Sequence, residues 1–267
     1  MTIPSSSKRI AEWVNLALLC MTAITLIGLQ MPAGWLFFAL GTLSLTFCHR
    51  YFAKDIALLY VSILILAFTS ITTDISYAHM TDMAIALFFA VAIPYLISRF
   101  VYRDYLVRFR FHHGRYWYKK EVLYIALTVT VSYFLLPFYL RNTGAYLHWT
   151  VIPGLDGMTR FFIGTNALGI WDELFFVSTT LGILRRFFPF FWANLAQAVL
   201  FTSFLYELGF TGWGVAMIYI FAVIQGYVFR QTDSLFYVIT IHLSIDFVLF
   251  LALIAAHHPD WIPIFLT

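Results

Sequence analysis

Five ionisable residues interrupt stretches of sequence that are otherwise apolar enough to lie in a lipid bilayer. They are Asp172, Glu173, Glu207, His242 and Asp246. Four unpaired acids at helix centres would cost roughly 10 kcal/mol, because insertion scales give about 2.5–3.5 kcal/mol for each ionised side chain. We therefore expect the acids to face one another, a proton, a metal ion or water inside a helix bundle. Because a carboxylate beside an imidazole can activate water, these residue types predict hydrolytic chemistry.

The spacing of these residues limits how they can meet. His242 and Asp246 are four residues apart, which places both on one face of a helix. Asp172 and Glu173 are neighbours and diverge by about 100° around a helix, so we expect only one of them to point straight at a site shared with His242. Glu207 falls near the outer end of its apolar run, so a site that includes it needs a tilted helix or an outward-opening cavity. A structural salt bridge between helices, with a solvated Glu207, is the alternative to a catalytic site.

The whole chain has the composition of a membrane protein. Its 267 residues are 62% hydrophobic and only 11% charged, and the mean hydropathy is +0.85. A soluble domain of this composition would expose too much apolar surface. No Pro-, Gly- or Ser-rich linker divides the chain, so residues 1–267 are expected to form a single integral membrane domain. Cys20 and Cys48 lie in the first two apolar runs and are expected to be packing residues.

Nine apolar runs are long enough to predict membrane helices. They cover residues 11–29, 33–48, 55–71, 82–98, 121–139, 158–184, 190–208, 212–229 and 234–256. The predicted fold class is an all-α, polytopic membrane helix bundle of about nine transmembrane helices. With a cytoplasmic N-terminus, all of the 16 Lys and Arg residues except Arg141 and Arg160 fall on the cytoplasmic side, as the positive-inside rule requires. The predicted location is a bacterial inner (plasma) membrane.

Three regions of the chain differ in character. Residues 1–98 carry few polar groups and predict anchoring spans. Residues 99–120 interleave basic and aromatic side chains, which predicts a cytoplasmic interfacial helix that contacts anionic lipid headgroups rather than nucleic acid. Residues 158–256 hold all five ionisable residues and form the expected catalytic core.

The order of motifs in residues 158–256 resembles that of the CAAX-protease and bacteriocin-processing (CPBP) family of intramembrane proteases. That family shows E-E-x-x-x-R, then F-x-x-x-H, then H-x-x-x-N or H-x-x-x-D on consecutive helices. The corresponding stretches are residues 172–177, residues 201–208, with Glu207 where the family has histidine, and residues 242–246. The turn Thr232-Asp233-Ser234-Leu235 is similar to the family's T-G-S-L, and its serine is a good N-cap for the following helix.

The resemblance implies an intramembrane peptidase that acts on a membrane-associated peptide or protein. It implies that Asp172 is the base that activates water, that His242 binds this water or a metal ion, and that Asp246 supports the histidine. The cofactor is unknown, but if a divalent metal ion binds, His242, Glu207 and Asp172 are its expected ligands, and such an oxygen-rich set favours a hard or borderline ion. Val177 stands where the family has arginine, and an ionised Asp246 would repel an oxyanion.

Two other functions stay open at this point. The altered motif residues favour a catalytically inactive relative that binds or escorts a membrane partner. The buried acids could instead relay protons in a proton-coupled transporter, although the sequence shows neither inverted repeats nor helices broken at mid-membrane. Loss of activity in Asp172→Asn would favour the peptidase, whereas flux into liposomes without cleavage would favour the transporter.

Overall fold

Helices account for most of the backbone in the computed structural model, which describes residues 6–111 and 116–265. The α-helices are α1 (Ser6–Thr22), α2 (Ala33–Ser44), α3 (Arg50–Ala67), α4 (Tyr77–Leu96), α5 (Lys119–Thr143), α6 (Leu155–Asp172), α7 (Leu181–Leu184), α8 (Phe190–Glu207), α9 (Gly214–Thr232) and α10 (Leu235–His257). π-helical segments follow α1 (Ala23–Gly28) and α4 (Ile97–Tyr102) and join α6 to α7 (Glu173–Thr180). Each of the nine apolar runs is largely helical, so the all-α prediction is confirmed.

Six of these helical stretches are long and apolar enough to cross a membrane. They are Ser7–Gly28, Tyr77–Tyr102, Lys119–Thr143, Leu155–Leu184, Gly214–Thr232 and Leu235–His257. α2 has only 12 residues, fewer than the ~20 that a crossing helix needs, and α3 and α8 have 18 each. The protein is therefore an integral membrane helix bundle. The count of nine spans and the cytoplasmic N-terminus stay predictions.

The helix Leu155–Leu184, built from α6, the π-helical segment and α7, is the most buried of the six. α10 packs along α5 and α6, α8 packs on α9 and on Ala23–Gly28, and α4 packs on Glu173–Thr180. The first turn of α10 is capped by Ser234, whose hydroxyl accepts a hydrogen bond from the Tyr237 N–H at 3.3 Å. This confirms the predicted N-cap. The packing brings α6 and α10, which carry the predicted site residues, side by side.

Charged side chains from three distant segments meet at one end of the bundle and form an ionic cluster. Arg186 Nη1 lies 2.8 Å from Asp55 Oδ2 and 3.1 Å from Asp104 Oδ2. Lys54 Nζ lies 2.9 Å from Asp104 Oδ2. Burial opposes ionisation of Asp104, but hydrogen bonds from three side chains and one backbone N–H outweigh it and lower the pKa of Asp104 to about 2. The cluster joins the start of α3 to the segments that follow α4 and α7.

The interfacial helix predicted for residues 99–120 differs from the structure. Beyond the π-helical segment, the described residues 103–111 and 116–118 are not helical, and residues 112–115 lie outside the described chain. Arg103 and Tyr105 have positive φ angles of 54° and 52°, and a right-handed helix does not continue through such angles. The basic and aromatic pattern is present, but the backbone that carries it is an irregular strap.

This irregular strap caps the start of α10. The carbonyls of Arg110 and Phe111 accept hydrogen bonds from the N–H groups of Leu235 at 2.7 Å and Phe236 at 3.1 Å. The first N–H groups of a helix have no partner within the helix, so these contacts satisfy two of them. The Arg110 guanidinium also pairs with the Asp233 carboxylate. The strap therefore fixes the entry of the helix that carries His242.

Candidate active site

The structure brings four of the five predicted residues together in the middle of the bundle. Asp172 ends α6, Glu173 begins the π-helical segment, and His242 and Asp246 lie on α10. All four side chains are buried. His242 Nδ1 lies 2.9 Å from Glu173 Oε1, while His242 Nε2 lies 4.0 Å from Asp172 Oδ2 and 3.7 Å from Asp246 Oδ1. The spacing of four residues between His242 and Asp246 thus places both on one face, as predicted.

Both neighbouring acids reach the imidazole, whereas we expected only one of them to face His242. Glu173 approaches the Nδ1 edge of the ring and Asp172 approaches the Nε2 edge. Their divergence around the helix places the two carboxyl groups on either side of the ring instead of turning one away. Only the contact at Nδ1 has hydrogen-bond length, so the wider gap at Nε2 leaves room for a bridging molecule.

The helix that carries Asp172 and Glu173 changes from α-helix to the wider π-helix between these two residues. Within Glu173–Thr180 the Thr179 hydroxyl donates to the carbonyl of Leu174 at 2.8 Å, five residues earlier. A π-helical turn adds a residue relative to α-helix, which changes the register of every side chain after it, and such turns are frequent at functional sites. The change of register begins immediately after Asp172.

Two aromatic rings hold the imidazole from the side of α8 and α9. Phe201 stacks on His242 with 5.9 Å between ring centroids and 26° between planes. Phe221 meets the same ring edge-on at 5.2 Å and 78°. Phe201 belongs to the second stretch of the family resemblance, so this stretch does contact the site, but through its phenylalanine.

Gln225 on α9 is a site residue that the sequence analysis missed. Its side chain is fully buried, and its Nε2 donates to Glu173 Oε1 at 2.8 Å and to the Val238 carbonyl at 3.1 Å. Gln225 carries no charge, so the cost of burying an ionised side chain does not point to it. A neutral amide in an apolar helix also has to be satisfied when buried, and that argument would have identified Gln225.

A cavity of about 610 Å³ lies against three of the clustered residues, between α5, α6, α9 and α10. Asp172, His242 and Asp246 line it, and Asp172 Oδ1 and Asp246 Oδ2 are buried without a hydrogen-bond partner in the described chain. Most of the remaining wall is apolar. The lining residues exposed at the protein surface are Leu127 and Val131 on α5, Ala216, Ile220 and Ile224 on α9, and Trp213, which directly precedes α9. The cavity therefore opens between α5 and α9, on the side of the bundle that faces lipid.

Glu207 lies apart from this cavity wall. It is the last residue of α8 and is half-buried. Of the described residues around it, Leu205 and Leu208 line the cavity and Glu207 does not. Leu205 follows Phe201 by four residues, which is the spacing of F-x-x-x-H. The apolar side chain of Leu205 thus occupies the place at which that motif would put an imidazole.

The residues around the cavity do not fit the predicted metal site. Among residues 6–111 and 116–265, no group of three or more His, Cys, Asp and Glu side chains is arranged to hold a metal ion. His242 Nδ1 is already hydrogen-bonded to Glu173, and Glu207 is not a lining residue. The set His242, Glu207 and Asp172 therefore does not assemble.

Gly169 on α6 allows Asp246 to approach the central helix. A Cβ atom at residue 169 would overlap Asp246 Oδ2 and would lie 3.3 Å from His242 Cδ2. Only a residue without a side chain leaves this carboxylate in place. Gly182, on the same continuous helix, has nothing within 4 Å of such an atom and offers a matched control.

We expect Gly169→Ala to displace Asp246 and lower any activity of the site by up to about 10²-fold, since a misplacement near 1 Å can cost that much. Gly182→Ala should leave activity unchanged and raise stability slightly, because alanine favours the helix by about 0.5–1 kcal/mol. Turnover and the unfolding temperature in detergent would be measured for both variants. Equal activity in the two would show that the position of Asp246 is unimportant.

The match to known families falls on the segment that forms this site. Residues 154–248 match the family model described as type II CAAX prenyl endopeptidase Rce1-like. This confirms the resemblance to CAAX-type proteases for roughly a third of the chain. No curated protein matches the chain, and no solved structure matches it either.

Proposed function

We propose that this chain, whose residues 154–248 are of the CAAX-protease type, is an intramembrane peptidase that cleaves a lipidated, membrane-tethered peptide. The observation that carries the proposal is that Asp172, His242 and Asp246 share one wall of a cavity that opens toward lipid. The Rce1-like family is described as prenyl endopeptidases. An apolar cavity beside acidic groups suits a substrate with a lipid chain next to a polar peptide.

In the proposed reaction Asp172 accepts a proton from water as the water oxygen attacks the peptide carbonyl. Asp172 Oδ1 is buried and has no hydrogen-bond partner in the described chain, so a water molecule bound there would satisfy it. His242 Nε2 lies 4.0 Å from Asp172 Oδ2, so one water molecule can bridge the two groups. The proton on Asp172 then passes to the leaving amine, which completes hydrolysis.

Asp246 and Glu173 have different roles in this proposal. Glu173 holds the imidazole through Nδ1 at 2.9 Å, which orients Nε2 toward the cavity. Asp246 Oδ1 lies 3.7 Å from Nε2. As a protonated acid Asp246 can donate a hydrogen bond to the oxyanion, whereas the ionised form would repel it.

The direct test uses the purified protein in liposomes with a prenylated peptide and with the same peptide without its lipid. We expect a cleavage product from the prenylated peptide, detected by mass spectrometry, and slower cleavage of the other. The lipid should increase binding because each buried CH₂ contributes about 0.8 kcal/mol. Protein-free liposomes are the control. No product from either peptide, with protein that is demonstrably folded, would overturn the proposal.

An inactive, partner-binding protein is the second candidate function, and two apolar positions favour it. Val177 lies in a buried apolar cluster with Leu235 and Val238, where the family motif has arginine. Leu205 lines the cavity at the spacing of the motif's histidine. Such a protein would bind the prenylated peptide in the liposome assay with saturable affinity and release no product.

We expect Glu207→Ala to cleave the prenylated peptide at a rate within about twofold of the unmodified protein, because the Glu207 side chain does not line the cavity and, among the described residues, contacts no group of the proposed reaction. The metal content of the two purified proteins should also be equal. Elemental analysis and turnover would be measured together. A loss of both metal and activity in the variant would restore Glu207 to the site as a ligand.

We also propose that residues 99–111 bind anionic headgroups of a bacterial plasma membrane. The guanidinium groups of Arg99 and Arg108 lie 4.7 and 6.0 Å from the Tyr105 ring, which groups two cations beside one interfacial aromatic. Each arginine near the membrane surface contributes about 1 kcal/mol to the binding free energy for anionic lipid. Replacing both arginines by alanine should reduce phosphatidylglycerol retained in native mass spectra, while Arg141→Ala should not. Equal retention in all three proteins would remove this proposal.

A further inference from the structure

Gln225 ties three helical elements together at the site. It lies on α9, and its side-chain amide donates one hydrogen bond to Glu173 Oε1 in the π-helical segment and one to the Val238 carbonyl on α10. Both acceptors are oxygen atoms, so the NH₂ group must face them and the amide orientation is fixed. Both N–H bonds are used. The Gln225 amide therefore has one defined position.

The same oxygen of Glu173 accepts two hydrogen bonds. Glu173 Oε1 lies 2.8 Å from Gln225 Nε2 and 2.9 Å from His242 Nδ1. Glu173 Oε2 has no partner in the described chain, so these two contacts alone fix the rotation of the carboxyl group. Without Gln225, the only side-chain hydrogen bond to this carboxyl group among the described residues would be the one with the ring that it orients.

Two other buried amides, on the neighbouring helix α8, have a different role. Asn194 and Gln197 on α8 donate to the carbonyls of Val223 at 2.9 Å and Ala222 at 2.9 Å on α9. These contacts hold two helices together and touch no residue of the site. Gln225 differs because one of its two acceptors is a carboxylate that contacts the site histidine.

We infer that Gln225 is a positioning residue: its amide locks the Glu173 carboxylate, and through it the orientation of the His242 ring and the proton on Nδ1. The effect on cleavage rests on the proposed peptidase function. The effect on the imidazole does not, because it depends only on the Gln225, Glu173 and His242 contacts. The partners of the ring nitrogen decide which nitrogen carries the proton, so they decide what the cavity-facing Nε2 can do.

The test compares Gln225→Leu with Gln197→Leu, which removes an equally buried amide from α8, the helix that packs on α9. Proteins labelled with ¹⁵N in the histidine rings would be studied by NMR, and the His242 signals assigned by their loss in His242→Ala. We expect the Nδ1 signal to shift in Gln225→Leu and to stay unchanged in Gln197→Leu. If Gln225→Leu does not fold, Gln225→Met replaces it.

The kinetic arm uses the prenylated peptide. We expect kcat to fall by about 10–100-fold in Gln225→Leu, the usual effect of removing a group that orients a functional histidine, with KM within twofold. Gln197→Leu should keep both constants. An unchanged His242 signal in folded Gln225→Leu, or an equal shift in Gln197→Leu, would overturn the inference. If the unmodified protein cleaves nothing, the peptidase proposal fails, and the NMR comparison still decides the role of Gln225.

Discussion

Asp172→Asn is expected to lower the rate of peptide cleavage by about 10²–10⁴-fold, the contribution of a positioned general base. The substitution keeps the size of the side chain, replaces the carboxylate by a neutral amide and so removes its capacity to accept a proton from water. Asp172 lines the cavity and its Oδ1 has no hydrogen-bond partner in the described chain, so it can take that proton. Asp246 shares both features, but in the proposed reaction it is the protonated donor to the oxyanion. We expect KM to change little, because the lipid chain supplies most of the binding.

The measurement is single-turnover cleavage in liposomes, beside thermal unfolding in detergent. Asp82→Asn serves as the control, since Asp82 is exposed near the start of α4 and should retain full activity. Cleavage by Asp172→Asn at the rate of the unmodified protein would mean that another group activates water. Glu173 is the first to consider, although its carboxyl group is engaged by Gln225 and His242.

His242→Ala is expected to lower the rate of peptide cleavage by a comparable factor, about 10²–10⁴-fold. It is also expected to destabilise the protein. Among the described residues, the imidazole is the one group that forms ion-pair contacts with Asp172, Glu173 and Asp246 together. Its removal leaves Glu173 with a lost hydrogen bond in a buried environment, which costs about 1–3 kcal/mol. The unfolding temperature should therefore fall, unlike in Asp172→Asn.

Free imidazole offers a rescue experiment for this variant. The space left by the side chain adjoins a cavity of about 610 Å³, so added imidazole can enter and should restore part of the cleavage rate. His258→Ala is the matched control, because His258 stacks on Trp261 at 4.1 Å and does not line the cavity. Full activity of His242→Ala without imidazole would contradict the proposed site.

The helices and the face shared by His242 and Asp246 were predictable from sequence because both depend on local periodicity. Apolar runs give the helices, and a spacing of four residues gives one helix face. The N-cap at Ser234 was predictable for the same reason, since it depends on a hydroxyl next to the helix start. The cost of buried charge also predicts that Asp172 and Glu173 face other polar groups, and both lie beside His242.

The remaining parts of the site depend on packing between helices, which periodicity does not reveal. Leu205, and not Glu207, lines the cavity, because the rotation of α8 is set by its contacts with α9 and Ala23–Gly28. Gln225 joins the site through its hydrogen bond to Glu173, a residue 52 positions earlier in the chain. Asp172 and Glu173 also lie at opposite edges of one ring, whereas the helix argument allowed only one of them to face it.

The ionic cluster formed by Lys54, Asp55, Asp104 and Arg186 has a consequence for any attempt to shorten the protein. The family signature lies within residues 154–248, yet Arg186 in that stretch finds its carboxylate partners on α3 and after α4. A fragment of residues 154–248 alone would leave this guanidinium without its counter-ions. It would also expose the surface of Glu173–Thr180 that α4 covers. Residues 154–248 and the helices that precede them are therefore expected to be expressed and to unfold as one unit.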